Sequence, residues 1–138
     1  MRKAKSLSGK KVTAWKWFSK YIKLHGAITT VGDPNFARCY TCKKIFPISE
    51  IDCGHMIPGR TNGILFDGDI CEPQCRQCNR LNNGEQQMFK FYKVIEHSEE
   101  WYELKKQARR SNCELSDMEL EAIAKEYRER YHKLLKGI

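Results

Sequence analysis

Two pairs of cysteines with the same spacing constrain this chain more than any other feature. Two residues separate Cys39 from Cys42, two separate Cys75 from Cys78, and 32 residues lie between the pairs. Such a spacing lets a tight turn present both sulfurs to one ion, and two turns complete a tetrahedron at about 2.3 Å from zinc. Because four thiolates leave no position for water, the sequence predicts one structural zinc ion that stabilises a small fold.

The cysteine usage also bears on the cellular compartment. The first residues, MRKAKSLSGKK, are basic with no apolar stretch behind them, so we expect no signal peptide, no membrane partner and a cytoplasmic protein. In a reducing compartment, paired cysteines bind metal more often than they form disulfides. A redox CxxC site is disfavoured because it would use one pair beside a βαβ pattern. The remaining cysteines are expected to be small, half-buried apolar residues: Cys53, Cys71 and Cys113.

The length of 138 residues suits one compact domain with modest extensions. We expect a basic arm and an amphipathic helix over residues 1–30, and C-terminal helices over residues 97–138. Residues 31–96 are expected to be the metal-bound core, in which the part from Val31 to Pro73 consists of short runs broken by proline and glycine. Such a segment buries little apolar surface by itself, so the predicted metal belongs in this core.

Positive charge is concentrated at the N-terminal end. The net charge is +8, and residues 1–25 contain eight lysines and arginines and no acidic residue. A basic segment without carboxylates attracts polyanions, so the arm is predicted to contact nucleic acid, a solvated tail being the alternative. The residues expected to make these contacts are Lys10, Lys11, Lys16 and Lys20.

Helical spacing of apolar residues recurs at both ends of the chain. Aromatic residues between Val12 and Leu24 predict an amphipathic helix that ends at Gly26. Ser98 is a candidate N-cap, and Ser116 has capping-box spacing to a glutamate at the start of a last helix. The apolar face of that helix either packs on the core or pairs two protomers in a homodimer.

The middle of the chain has the pattern of two short strands and a helix. Ile51–Ile57 and Ile64–Phe66 are predicted strands, and Arg76–Leu81 is a predicted short helix. The order is therefore ββα, within an α+β fold.

A histidine and an asparagine occupy notable positions relative to the cysteine pairs. His55 lies in DCGHMIPGR between the pairs, and Asn79 directly follows the last cysteine in LFDGDICEPQCRQCN. With CYTCKKIF before them, these motifs resemble those of the zinc-containing HNH nucleases, also called ββα-metal or His-Me finger nucleases. Within that class the chain is similar to phage recombination endonucleases of the Rap/NinG type and, more distantly, to endonuclease VII. The resemblance covers residues 39 to 85.

The resemblance implies a small zinc-stapled ββα-metal core flanked by N-terminal and C-terminal helices. It further implies a metal-dependent DNA endonuclease acting on branched or recombination-intermediate DNA. Such a phage enzyme acts in the cytoplasm of the bacterial host. His55 takes the role of general base, which suits an imidazole near pH 7. Asn79 takes the role of ligand to a catalytic Mg²⁺ or Mn²⁺, since an amide oxygen is a suitable hard ligand.

The chain departs from this pattern at the position before the histidine. Many relatives have a metal-binding Asp or His there, whereas this chain has Gly54. Asp52 and Asp69 are the candidates for a second ligand, and Asn79 acting with DNA oxygens alone is the third possibility. The middle asparagine of the motif is also missing.

Three arginines are candidate phosphate contacts. Arg60 follows the predicted catalytic strand, and a guanidinium there would grip a phosphate in a bidentate manner. Arg76 and Arg80 lie near the short helix after the second cysteine pair. A non-catalytic zinc module that binds nucleic acid is the alternative to the nuclease.

Overall fold

The computed structural model describes residues 9–57, 62–108 and 114–138. The predictions for Arg60 and Cys113 therefore fall outside the described residues.

The protein is an α+β chain, mostly helical, with two small antiparallel hairpins. The α-helices are α1 (Gly9–Thr30), α2 (Asn62–Leu65), α3 (Gln86–Glu96), α4 (Glu99–Ala108) and α5 (Asp117–Lys136). The strands are β1 (Phe36–Arg38), β2 (Ile45–Pro47), β3 (Ile51–His55) and β4 (Cys71–Cys75). Short 3-10 turns cover Ile48–Glu50, Gly68–Ile70 and Asn83–Glu85, and a π-helical segment covers Gln77–Leu81. None of the described helices combines the length and apolar character needed to cross a membrane.

Helix α1 continues past Gly26, where the sequence predicted its end. The helix reaches Thr30, and Gly32 with a positive φ of 79° follows it. Gly26 has another reason to be glycine, because a Cβ there would lie 2.2 Å from Cγ of Pro73 in β4. The glycine thus permits a close helix-to-strand approach, and the predicted stop was wrong.

Strand β3 pairs with β4, and this hairpin forms the centre of the fold. Its antiparallel register places Ile51 opposite Cys75 and His55 opposite Cys71. The predicted strand at Ile64–Phe66 is wrong, because α2 lies there and the second strand begins at Cys71. A short apolar run does not distinguish a buried helical turn from a strand.

The core joins α1 to the hairpin and the helices. One cluster includes Phe18, Ile22, Met56, Ile64 and Phe89, all buried. A second cluster surrounds the paired cysteines, where Ala27, Ala37 and Ile51 are buried. The first cluster meets the hairpin at Cys71 and the second at Ile51 and Cys75, so the two clusters pack against opposite ends of the hairpin.

Helix α5 packs along α1 within the same chain. The rings of Phe18 and Tyr127 lie 4.9 Å apart, and those of Trp17 and Tyr131 lie 5.9 Å apart. The predicted capping box at Ser116 is present. The apolar face of α5 thus has an intramolecular partner, and the homodimer stays a prediction.

We predict that Gly26→Ala destabilises the protein by about 1 to 3 kcal/mol, although alanine favours helix more than glycine does. The added methyl group would overlap the ring of Pro73. Urea unfolding followed by circular dichroism measures the effect. Gly9→Ala is the matched control, since nothing lies within 4 Å of a Cβ there. Equal stability of the two variants would contradict the close packing.

Candidate metal centre and active site

The four paired cysteines converge on one point. Their Sγ atoms all lie within 4.8 Å of one another, and those of Cys42 and Cys75 are 4.0 Å apart. In a zinc tetrahedron with bonds of about 2.3 Å, neighbouring sulfurs would be about 3.8 Å apart. The predicted clustering is confirmed, and the donor set fits zinc.

The turns that hold these cysteines have matching hydrogen bonds. The backbone N–H of Cys42 donates to Sγ of Cys39 at 3.5 Å, and that of Cys78 donates to Sγ of Cys75 at 3.5 Å. Burial opposes ionisation of Cys39, but N–H groups such as that of Cys42 outweigh it and lower its pKa to about 6. Burial raises the pKa of Cys42 and of Cys78. Holding all four as thiolates therefore calls for a cation among them.

Among the residues that the structure describes, two further cysteines lie outside the cluster. Cys53 is half-buried on β3, and Cys71 is buried on β4. Burial, and then a hydrogen bond with Cys53, raise the pKa of Cys71 well above its ordinary value. Cys71 is therefore a neutral thiol at neutral pH.

His55 and Asn79 line the same open, polar pocket. It has a volume of about 380 Å³ and is also lined by Asp52 and Arg80. His55 ends β3, whereas Asn79 comes from the π-helical segment directly after Cys78. The hairpin and the cysteine cluster thus bring together two residues that are 24 positions apart in sequence.

The ring of His55 is oriented from two sides. Its Nε2 lies 3.1 Å from the carbonyl oxygen of Leu65 in α2. A carbonyl oxygen only accepts, so Nε2 carries the proton in this contact and the basic lone pair is on Nδ1. The indole of Trp15 stacks on the imidazole, with centroids 5.4 Å apart and planes at 17°. The two contacts therefore fix the orientation of the ring, and in the neutral form of His55 they favour the tautomer protonated at Nε2.

Asp52 connects the strand to the π-helical segment. Its Oδ2 accepts a hydrogen bond from Nδ2 of Asn79 at 3.0 Å. Arg80 grips both carboxylate oxygens, with Nε 2.8 Å from Oδ2 and a terminal nitrogen 2.9 Å from Oδ1. The Asp52 side chain is only 16% exposed. The carboxylate is therefore already engaged, and the orientation of the Asn79 amide is fixed through its nitrogen.

Packing explains why residue 54 has no side chain. A Cβ on Gly54 would lie 2.0 Å from Oε1 of Gln74 on the neighbouring strand. Gln74 is fully buried, and its Nε2 donates to Oγ1 of Thr41 at 3.1 Å and to the carbonyl of Gly84 at 2.8 Å. The amide of Gln74 thus takes the space beside β3 that a side chain at position 54 would need.

Other predicted site residues lie away from this pocket. Asp69 does not line it, and its carboxylate accepts from Lys105 at 3.1 Å. Arg76 is exposed and donates to the carbonyl of Ser49 at 2.7 Å. On α1, Lys10 forms an ion pair with Glu121 of α5.

The remaining lysines predicted to bind nucleic acid also lie on α1. The ammonium groups of Lys16 and Lys20 lie 5.2 and 5.3 Å from the ring centroid of Trp17. Lys11 is half-buried in the first turns of the helix.

Sequence reasoning missed the contribution of α1 to the pocket. Trp15, Ser19 and Lys23 line it, at successive i+4 positions on one face of the helix. That spacing is visible in the sequence, but an aromatic residue in such a stripe is usually assigned to the core. Trp15 does both, because it contacts Phe18 and His55.

In comparisons with family models, curated proteins and solved structures, nothing matches this chain.

We predict that the purified protein binds one zinc ion per chain and that Cys78→Ser abolishes the binding. Loss of one thiolate opens the tetrahedron, and the turns around it lose the ion that joins them. Atomic absorption measures the zinc content, and thermal unfolding measures the loss of stability. Cys53→Ser is the matched control, because Cys53 lies outside the cluster, and it should keep its zinc. A wild-type zinc content in Cys78→Ser would exclude the site.

Proposed function

We propose that the protein is a metal-dependent endonuclease that hydrolyses phosphodiester bonds in DNA, built on an HNH-type ββα-metal core. The observation that carries the proposal is the shared pocket of His55 and Asn79. Hairpin β3–β4 and the π-helical segment would be the ββα unit. The resemblance of the motifs to phage recombination nucleases makes branched DNA the proposed substrate class.

His55 acts as the general base in this proposal. Hydrolysis requires water to lose a proton as it attacks phosphorus, and a neutral imidazole is a suitable acceptor near pH 7. With Nε2 donating to Leu65, Nδ1 is the nitrogen that takes the proton. Stacking by Trp15 keeps the ring from turning away, which reduces the cost of reaching the reactive geometry.

Asn79 would hold the catalytic cation through its amide oxygen, beside phosphate oxygens of the DNA. Mg²⁺ usually keeps several waters and binds one or two protein groups plus substrate phosphates, so this sparse donor set fits it. When bound, the cation would stabilise the charge that develops on the phosphoryl and leaving oxygens. Asp52 orients Asn79 by accepting from its nitrogen, and Arg80 holds Asp52 in place.

Lys23 supplies the phosphate contact within the pocket. It is half-buried, lines the pocket with His55, and forms no ion pair within the described segments. An ammonium group in that position attracts the DNA backbone.

The competing function is a non-catalytic zinc module that binds nucleic acid. Two observations favour it: Gly54 leaves no room for a ligand beside His55, and Asp52 is engaged by Arg80. A pocket that cannot retain a cation would bind DNA without cutting it.

We predict that the wild-type protein nicks DNA with Mg²⁺ or Mn²⁺ and that His55→Ala lowers the rate by about 10² to 10⁴-fold. Plasmid and synthetic junctions, followed on gels, measure the rate. His25→Ala is the matched control, because His25 is exposed on α1 and does not line the pocket. If His55→Ala still cleaves DNA, His55 is not the general base. If the wild type binds DNA without cleaving it, the non-catalytic binding module is favoured.

We predict that Asp52→Ala raises the Mg²⁺ concentration for half-maximal cleavage by about 10 to 100-fold, as expected when a group that orients a metal ligand is lost. Asp52→Asn should have a smaller effect, because an amide oxygen still accepts from Asn79. Metal titration of the cleavage rate in both variants measures the difference. An Asp52→Asn variant as impaired as Asp52→Ala would mean that the carboxylate itself binds the cation.

A further inference from the structure

A surface of which the sequence predicted only Lys16 and Lys20 runs from the pocket across α1 to α5. On α1, residues 15, 19 and 23 face the pocket, and at about 100° per residue Lys16 and Lys20 lie on the adjoining face. Trp17 comes next around the helix and meets α5, where its ring lies 5.5 Å from that of His132. Lys16 and Lys20 thus lie between the pocket and the α1–α5 seam, the contact of Trp17 with Tyr131 and His132.

Arg128 and Lys136, in the second half of α5, continue the positive charge beyond the contact between the two helices. Arg128, His132 and Lys136 are exposed, and with Glu129 and Lys133 they line a shallow surface depression that holds three cationic side chains and one carboxylate. The first turns of α5 are acidic instead, and there Glu121 pairs with Lys10. The uncompensated charge therefore begins after the first third of α1.

We propose that these residues form one DNA-binding surface, the basic track, along which the backbone leaves the pocket. The basic track consists of Lys16, Lys20 and Lys23 on α1 and Arg128, His132 and Lys136 on α5, with Trp17 between the two helices. This inference takes DNA as its ligand from the proposed function.

Charge complementarity is the reason for choosing a nucleic acid backbone. Within the described segments, no carboxylate forms an ion pair with Lys16, Lys20 or Arg128. Residues 16 to 23 extend about 10 Å along the helix axis, which corresponds to about three phosphate-to-phosphate spacings of one strand along the duplex axis. A strand held in the pocket by Lys23 would meet the other two lysines next.

The aromatic residues give the lysines defined positions. Lys20 lies 5.3 Å from the ring centroids of both Trp17 and Tyr131. Cation–π contacts of this kind hold an ammonium group over the rings while leaving its hydrogens open to a further acceptor. The seam therefore presents ordered cations instead of freely moving ones.

The test measures binding of a short labelled duplex to zinc-loaded full-length protein carrying His55→Ala, without Mg²⁺, over a range of salt concentrations. Lys16→Gln/Lys20→Gln should weaken binding by at least about tenfold and reduce the salt slope by about 2. Arg128→Gln/Lys136→Gln should weaken binding similarly. Lys44→Gln/Lys106→Gln removes the same charge from exposed positions outside the basic track and should change binding by less than about threefold.

Glu121→Gln provides a test in the opposite direction. It releases Lys10 from its ion pair and should tighten binding and steepen the salt slope by about 1. Thermal unfolding of each variant shows that the fold is retained. Equal weakening of binding in Lys44→Gln/Lys106→Gln would show that net charge alone binds DNA. Unchanged binding in Arg128→Gln/Lys136→Gln would show that the surface does not extend to α5. Either result overturns the inference.

The two proposals fail separately in these measurements. If no DNA is cut but the basic-track variants weaken binding as expected, the nuclease proposal fails and the surface stands. If cleavage depends on His55 but the basic-track variants bind like their parent, only the surface is wrong.

Discussion

The convergence of four cysteine sulfurs is the constraint on which the rest of the structure depends. Strands β1 and β2 have three residues each, and a hairpin of that size is marginal in water. The cluster connects this hairpin to the end of β4, across 32 intervening residues. Asn79 immediately follows the last of the four, so its backbone is positioned by the same contacts. A metal bound there would convert a weak assembly of turns into a rigid frame.

Within that frame, a single carboxylate connects the two elements of the pocket. Asp52 lies on β3, and its partners Asn79 and Arg80 lie on the π-helical segment. Hydrogen bonds to a charged group contribute about 1.5 to 3 kcal/mol when shielded, but the 60% exposure of Arg80 weakens its share. Asp52 therefore fixes the position of the Asn79 side chain. It is itself a poorer metal ligand, because its carboxylate is already bound by Arg80.

Features that depend on the local spacing of residues could be predicted from the sequence. The CxxC pairs and the Ser116 capping box depend on local geometry, so the cysteine cluster and the start of α5 were predicted correctly. Gly26 and the segment at Ile64 were assigned wrongly, because tertiary packing decides both: one glycine admits Pro73, and one apolar run is buried as a helical turn. The role of α1 in the pocket was invisible for the same reason, since it depends on where the helix lies across β3.

Gly54, which favours the non-catalytic alternative, also bears on how the pocket of the proposed nuclease would work. Gln74 occupies the space that a side chain at Gly54 would need, so the described lining of the pocket has an imidazole, an amide, a carboxylate matched by Arg80, and the cation of Lys23. Its charge without ligands is therefore positive, and a divalent cation entering alone would be repelled. Phosphates of DNA reverse that balance, so DNA would increase the affinity for the metal, and by linkage the metal would increase the affinity for DNA by the same factor. If the protein is the proposed nuclease, a pocket with this charge balance binds the cation only together with DNA.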